Sequence, residues 1–142
     1  MTKRLVRNIA FSLVLISVLV FSGCSGVSDV SISERLNRFI ADANAGNYST
    51  MFENLHPDSG SYNQAKDPAF WENYFPSGQV YSLSNIAISG ESATANINSS
   101  GPDYSGESLT FQFKNDPESG GLFGGDSDNW KILSISGVVS VP

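Results

Sequence analysis

The sequence predicts an α+β fold: N-terminal helices packed on an antiparallel β-sheet. Apolar residues recur at helical period up to residue 78 and at period two beyond it. Cap signals punctuate the first half, and tight-turn residues punctuate the second. The links between most strand segments are short, which implies antiparallel neighbours, because a parallel crossover needs a dozen residues or more. Helices first and strands afterwards is the α+β order, with the helices covering one face of the sheet.

The first helix opens at Ser31-Ile32-Ser33-Glu34, a capping-box spacing. There the Ser31 hydroxyl accepts from a first-turn N–H, and Glu34 reaches back to the cap. Ile32, Leu36, Phe39, Ile40 and Ala43 form one apolar stripe, with Glu34, Arg35, Arg38 and Asp42 mostly off it. Gly46 ends the helix where a left-handed backbone carries no Cβ strain. Thr50 and Glu53 repeat the cap spacing for a short second helix, which turns Met51, Phe52 and Leu55 inward and stops at His56-Pro57. Residues 59–66 read as a polar turn. Asp67-Pro68 then supplies an N-cap and a proline at the first helical position, where its missing N–H costs nothing. The third helix, over residues 69–75, carries Phe70, Trp71, Tyr74 and Phe75 and closes at Pro76-Ser77-Gly78.

Residues 80–89 form the first strand, and Gly90-Glu91 a tight turn. Residues 92–99 form the second strand, with Ala93, Ala95 and Ile97 on one face and Thr94, Asn96 and Asn98 on the other. Gly101-Pro102-Asp103 marks another turn. Residues 107–114 form a third strand with Leu109, Phe111 and Phe113 inward. Residues 115–129 are a long loop rich in Gly and Asp. The last strand spans residues 130–136, and the tail 137–142 is placed to extend it. There is no internal repeat and no second domain.

The start of the chain has a different logic. Lys3, Arg4 and Arg7 precede an apolar run over residues 9–21, and small residues lead into Cys24, the only cysteine. That is the layout of an export signal. As a helix the apolar run rises about 20 Å, short of the roughly 30 Å of a bilayer's hydrocarbon core. Phe21-Ser22-Gly23-Cys24 resembles the lipobox of bacterial lipoproteins, with Phe21 where that family usually carries Leu. The resemblance implies a signal peptide over residues 1–23, a diacylglycerol on the Cys24 sulfur, a tether over residues 24–30 and a folded domain over 31–142. It also implies a protein lipid-anchored to the bacterial cell membrane or outer membrane, facing the periplasm or the cell exterior. Ser25, in place of the Asp that holds such proteins at the inner membrane, leans towards the outer one. The other reading of this stretch is an uncleaved signal anchor in which Cys24 is an ordinary small residue.

Composition excludes some partners. The whole chain has a net charge of −6. Without residues 1–23 only Arg35, Arg38, Lys66, Lys114 and Lys131 remain, five cations against fourteen acids, a net charge of −9. So acidic a body argues against nucleic acid, which needs clustered Lys and Arg against its phosphates. It argues equally against lying flat on anionic lipid. With the single cysteine committed to lipid, no disulfide forms within the chain.

The body resembles the NTF2-like (cystatin-like) superfamily, especially its small secreted and lipoprotein members. The residues that carry the resemblance are the long first helix, the Gly46-Asn47-Tyr48 turn, the Met51-Phe52-Leu55-His56 segment and the closing Trp130-Lys131-Ile132 strand. It implies a strongly curved sheet wrapped around helices as a cone, often with a pocket. Isomerases and dehydratases of the superfamily use Asp, His and Tyr in that pocket. The superfamily also includes binding modules and inert scaffolds, so the fold alone assigns no activity.

His56, the only histidine, is the catalytic candidate, a general base at a pocket mouth with Asp58 or a tyrosine as its second group. The bland reading has its imidazole bonding the carbonyls of a helix end. Phe70, Trp71 and Tyr74 are the candidate ligand-binding residues, for a small apolar or sugar ligand, against a reading as core. The loop 115–129 carries four carboxylates with Gly nearby, which invites a calcium reading, but it lacks the EF-hand spacing and terminal Glu. No metal or other cofactor is expected. No Gly-x-Ser-x-Gly elbow and no phosphate-cradling Gly-rich loop is present. The expected function is a membrane-anchored module that binds a ligand or an envelope protein. The alternatives are a small-molecule isomerase or hydrolase using His56, and a structural envelope component whose acidic loop and sheet edge make low-affinity contacts, a reading that an exposed Leu122-Phe123 patch would favour.

Overall fold

The computed structural model describes residues 29–117, 127–139 and 141–142. Helix α1 (Ile32–Ala45) opens with the Ser31 Oγ accepting from the Glu34 N–H at 3.2 Å. Only that half of the capping box forms, because the Glu34 carboxylate is engaged by Arg38 at 2.6 Å, one turn on. Gly46 closes the helix with φ 68°, and its N–H and that of Asn47 return to the carbonyls of Ala43 and Asp42. Ile32, Leu36, Phe39 and Ala43 are buried, as the stripe requires, and Ile40 is half-buried.

The expected second helix is a 3₁₀ turn, Met51–Asn54. Thr50 does not cap it, because its Oγ1 donates back to the Asn47 carbonyl at 3.2 Å. A second 3₁₀ turn, Gln64–Lys66, interrupts the segment expected to be an irregular turn. Helix α2 (Pro68–Tyr74) begins as the Asp67-Pro68 pair dictates, with Asp67 Oδ1 accepting from the Ala69 N–H at 3.0 Å. Among the described residues the domain therefore has two α-helices rather than three.

Strands β1 (Tyr81–Ser89), β2 (Ser92–Ser99), β3 (Ser105–Asn115) and β4 (Trp130–Ser136) form one antiparallel sheet in the order β1-β2-β3-β4. Gly90, with φ 57°, takes the positive-φ first position of the two-residue β1–β2 turn, as a type II′ hairpin asks. Each strand pair carries one register shift, between Ser84 and Ala87, between Ile97 and Asn98, and between Gln112 and Phe113. Asn85 (φ 52°) and Gly106 (φ 88°) supply the positive backbone angles at the first two.

The inner face is apolar: Ala93, Ala95, Ile97, Leu109, Phe111 and Phe113 are buried. The outer face of β2 and β3 is polar and uncharged over Thr94, Asn96, Asn98, Ser108, Thr110 and Gln112. The sheet is not strongly curled, so the cone implied by the NTF2-like resemblance does not form. The large rings of Phe39, Trp71 and Phe75, all fully buried, fill the space over the sheet and leave no hollow for the strands to wrap.

The two sheet edges differ. The β4 edge is met by three segments, through bridges Val30↔Asn129, Leu55↔Ile132 and Ile135↔Val141. The C-terminal tail thus folds back along β4 instead of extending it. At the β1 edge, the Asn44 side-chain amide takes the place of a strand. It donates to the Tyr81 carbonyl at 2.9 Å and accepts from the Tyr81 N–H at 2.6 Å.

Three tyrosines close the end of α2, whose last carbonyls have no helical partner. Tyr48 donates to the Phe75 carbonyl, Tyr104 to that of Tyr74 and Tyr81 to that of Pro76. Burial pushes the Tyr81 and Tyr104 phenols up to about 12, with neighbouring Tyr and Asp groups adding to it. Burial also raises Tyr48, and Glu72 adds to that shift.

Candidate functional site

The residues singled out by sequence fall in different environments. Cys24, Leu122 and Phe123 lie outside the described residues. Trp71 is fully buried, edge-on to Phe39 at 5.7 Å between ring centroids, and its Nε1 donates to the Ala65 carbonyl at 2.8 Å. Phe70 and Tyr74 are half-buried and meet edge-to-face at 5.2 Å. These rings close the core around α2, and Trp71 presents no surface to a ligand. Trp71, a ligand-binding candidate by sequence, thus has the competing environment of a core residue, on the same inward side of the helix as Phe75.

His56 is buried at the parallel bridge beside β4, where its backbone N–H donates to the Ile132 carbonyl at 2.7 Å. Its Nδ1 accepts from the Asp58 N–H at 3.0 Å. The imidazole therefore works as a turn acceptor, which places the proton of its neutral form on Nε2. Asp58 is held instead by Lys114, whose ammonium keeps that carboxyl below the usual range. Its Oδ2 lies 3.7 Å from His56 Nδ1. Among the described residues, no three His, Cys, Asp or Glu side chains converge as a metal site, and no helix is long and apolar enough to cross a membrane.

The polar chemistry gathers elsewhere, along α1. The sequence pattern puts Arg35 mostly off the apolar stripe, yet it is only 6% exposed. Its Nε donates to the Trp130 carbonyl at 2.8 Å, Nη1 to Asn54 Oδ1 at 3.2 Å and Nη2 to Asn129 Oδ1 at 2.7 Å. Asn54 in turn donates to Asp42 Oδ2 at 2.7 Å. A buried network thus joins α1, the first 3₁₀ turn and the start of β4. The signal was present in the sequence. Arg35 follows Ile32 by three and precedes Phe39 by four, so it shares their face of the helix.

Two adjoining clefts open above this network, of about 340 and 260 Å³, and both are lined by Arg35, Arg38 and Glu53. The larger adds Tyr62, Asn129 and Lys131, and the smaller adds Asp42, Thr50 and Asn54. Together they make one polar groove. Three of the five cations beyond residue 23 line it, and a fourth, Lys66, stands 4.8 Å over the Tyr62 ring. Arg38 pairs with Glu34 at 2.6 Å and Lys131 with Asp116 at 2.9 Å. The first pair is about half exposed and the second partly so. His56, Phe70, Trp71 and Tyr74 line neither cleft.

No family model, no curated protein and no solved structure matches the chain. The NTF2-like resemblance thus gains no support from relatives, and the site rests on its own geometry.

Proposed function

We propose that the chain is a non-catalytic binding module of the bacterial cell envelope, tethered by lipid on Cys24, whose ligand presents an anionic group to the polar groove along α1. The observation that carries this reading is the convergence of three cations, Arg35, Arg38 and Lys131, on one cleft whose lining holds a single carboxylate, Glu53, in a chain of net charge −6. Arg35 is pre-organised, because three of its donors are anchored to protein oxygens. Arg38 and Lys131 are adaptable. Ion pairs as exposed as theirs contribute about 0–1 kcal/mol, so exchanging Glu34 or Asp116 for a ligand oxygen costs little. Tyr62 and the buried Asn129 add neutral hydrogen-bonding groups to the lining of the cleft. Guanidinium and ammonium groups so placed select a carboxylate or phosphate.

The engagement of His56 Nδ1 in its turn favours binding over proton-transfer chemistry. The burial of Trp71 takes that ring away from an apolar ligand at α2, where, of the candidate rings, only the half-buried Phe70 and Tyr74 keep exposed surface. Two experiments test the reading. The full chain is titrated with inorganic phosphate and with acetate while backbone amide resonances are followed. Saturable shifts are expected at residues 35, 38 and 131, weakened about tenfold by Lys131→Ala. Shifts that do not saturate, or that Lys131→Ala and Arg38→Ala leave unchanged, remove the groove as a site. Metabolic labelling with an alkyne fatty acid tests the anchor: label on the chain and its loss in Cys24→Ser are expected, and an unlabelled wild-type chain refutes it.

A further inference from the structure

We infer that the tip of the β1–β2 hairpin docks on the lipid surface to which the tether leads, so that the domain sits on the membrane in one orientation. The inference rests on the lipid-tether reading of Cys24. Ile86 and Ile88, four and two residues before Gly90 on β1, are 43% and 47% exposed. Ile88 and Gly90 also line a cleft of about 430 Å³, together with Ser31, Ile32 and Ser33 at the start of α1 and with Trp130. Half-exposed isoleucines beside an open apolar cleft are costly to leave in water and gain from burial.

Chain length says what covers them. Asp29 lines the same cleft and stands five residues after Cys24. Five extended residues reach at most about 18 Å, so the lipid attachment point stays within that radius of the cleft. The root of the tether is fixed as well. The Val30 N–H donates to the Asp128 carbonyl at 2.6 Å, the Trp130 N–H to the Val30 carbonyl at 3.0 Å, and the Asp128 N–H to Asp29 Oδ1 at 3.1 Å. A tether rooted there holds the hairpin end of the sheet towards the bilayer. Docking then becomes an intramolecular step, which two side chains suffice to drive.

The surroundings select the kind of surface. Strand β1 carries no charged residue, while Asp29, Glu34 and Asp128 rim the cleft and Glu91 stands in the hairpin turn. Those acids oppose an anionic bilayer and tolerate a zwitterionic one. They also oppose a second copy, because a two-fold contact at this tip sets the same acids against each other. The bulge at Asn85 (φ 52°) interrupts the β1 edge against strand pairing.

The test uses the full chain purified with its lipid and reconstituted into phosphatidylcholine vesicles. With Cys24 acylated, Ile86→Cys supplies a unique thiol for an environment-sensitive fluorophore. Ser108→Cys, on the exposed outer face of β3, supplies the control. Lipids brominated on their acyl chains are expected to quench the probe at residue 86 and not at 108. The contrast is expected to shrink as anionic lipid is added. With the probe moved to Glu91→Cys, at the exposed second position of the turn, replacing Ile86 and Ile88 by Ser is expected to lower the docked-to-undocked ratio about tenfold per residue. Equal, water-like emission at 86 and 108 on a lipidated chain overturns docking and leaves the tether standing. Energy transfer between copies at residue 86 without lipid quenching overturns it in favour of a dimer. A chain whose Cys24 has no lipid by mass removes both the tether and the docking.

Discussion

Arg35 Nη2 donates to Asn129 Oδ1 at 2.7 Å, across a separation of 94 residues. With the Nε bond to the Trp130 carbonyl, it joins α1 to the start of β4, which no turn or hairpin does. Removing the guanidinium leaves Asn54, Asn129 and the Trp130 carbonyl without this donor in a buried setting. Arg35→Met, which keeps the apolar stem, is expected to cost about 3 kcal/mol of folding stability. Arg35→Lys is expected to recover only a minor part, because a single ammonium cannot span the fork of acceptors. Urea denaturation of the three proteins measures this. A cost for Arg35→Met within about 0.5 kcal/mol of zero, as at an inert surface site, would falsify the network's structural role.

The tyrosines over the end of α2 give a pH signature. Tyr81 and Tyr104 titrate near 12 in the folded protein, against an ordinary value of 10.0. Between those values the unfolded chain has released these protons and the native state has not. The unfolded state binds fewer protons, so stability falls as pH rises. The contribution is complete below about pH 10, is lost on rising towards 12, and levels off beyond it. Unfolding midpoints from pH 9 to 12 are expected to drop steeply in wild type and less steeply in the Tyr81→Phe, Tyr104→Phe double variant. At pH 7 the double variant is expected to be less stable by about 1 kcal/mol per lost hydroxyl bond. Equal slopes in the two proteins would show that these phenols do not govern the alkaline limb.

His56 offers a substitution that separates turn chemistry from catalysis. Its Nδ1 receives the N–H of the residue two positions on, a geometry that an Asn side-chain oxygen reproduces in an Asx turn. His56→Asn is expected to retain most of the stability that His56→Ala loses, about 1 kcal/mol or more. Thermal melts of the two variants decide it. Equal destabilisation by Asn and Ala means that the imidazole's packing, rather than its acceptor, holds the site.

Most of the fold was legible because its signals are local. Ser31, Gly46 and Asp67-Pro68 cap where their chemistry says, and the alternation through Ala93–Ile97 and Leu109–Phe113 placed the inner face correctly. What failed depended on distant partners. Thr50 looks like an N-cap until Asn47 takes its hydroxyl, and the tail looks like a strand extension until Val141 pairs back with Ile135. Sheet curl depends on how much volume the helices deliver, and Phe39, Trp71 and Phe75 deliver enough to keep it open. The groove was hidden for a related reason. Arg35 reads as a solvated cation until Asn54, Asn129 and the Trp130 carbonyl arrive from two other segments to satisfy it inside.

Two glycines distinguish backbone strain from steric exclusion. Both have positive φ, 68° at Gly46 and 129° at Gly137. A methyl group at Gly46 would meet nothing within 4 Å, so Gly46→Ala carries only the conformational penalty of the left-handed cap, about 1 kcal/mol. At Gly137 the same methyl would lie 2.5 Å from the Ser108 carbonyl oxygen and 3.0 Å from Leu109 Cδ2. Backbone is met there, so relief requires β3 and the end of β4 to part. Gly137→Ala is expected to cost about 3 kcal/mol and to raise amide exchange in β3 and β4, whereas Gly46→Ala leaves the sheet protected. Denaturation and hydrogen exchange on both variants check this. Equal costs would mean that the two strands separate freely at that end, contrary to the packing of Leu109 and Val139 in the core.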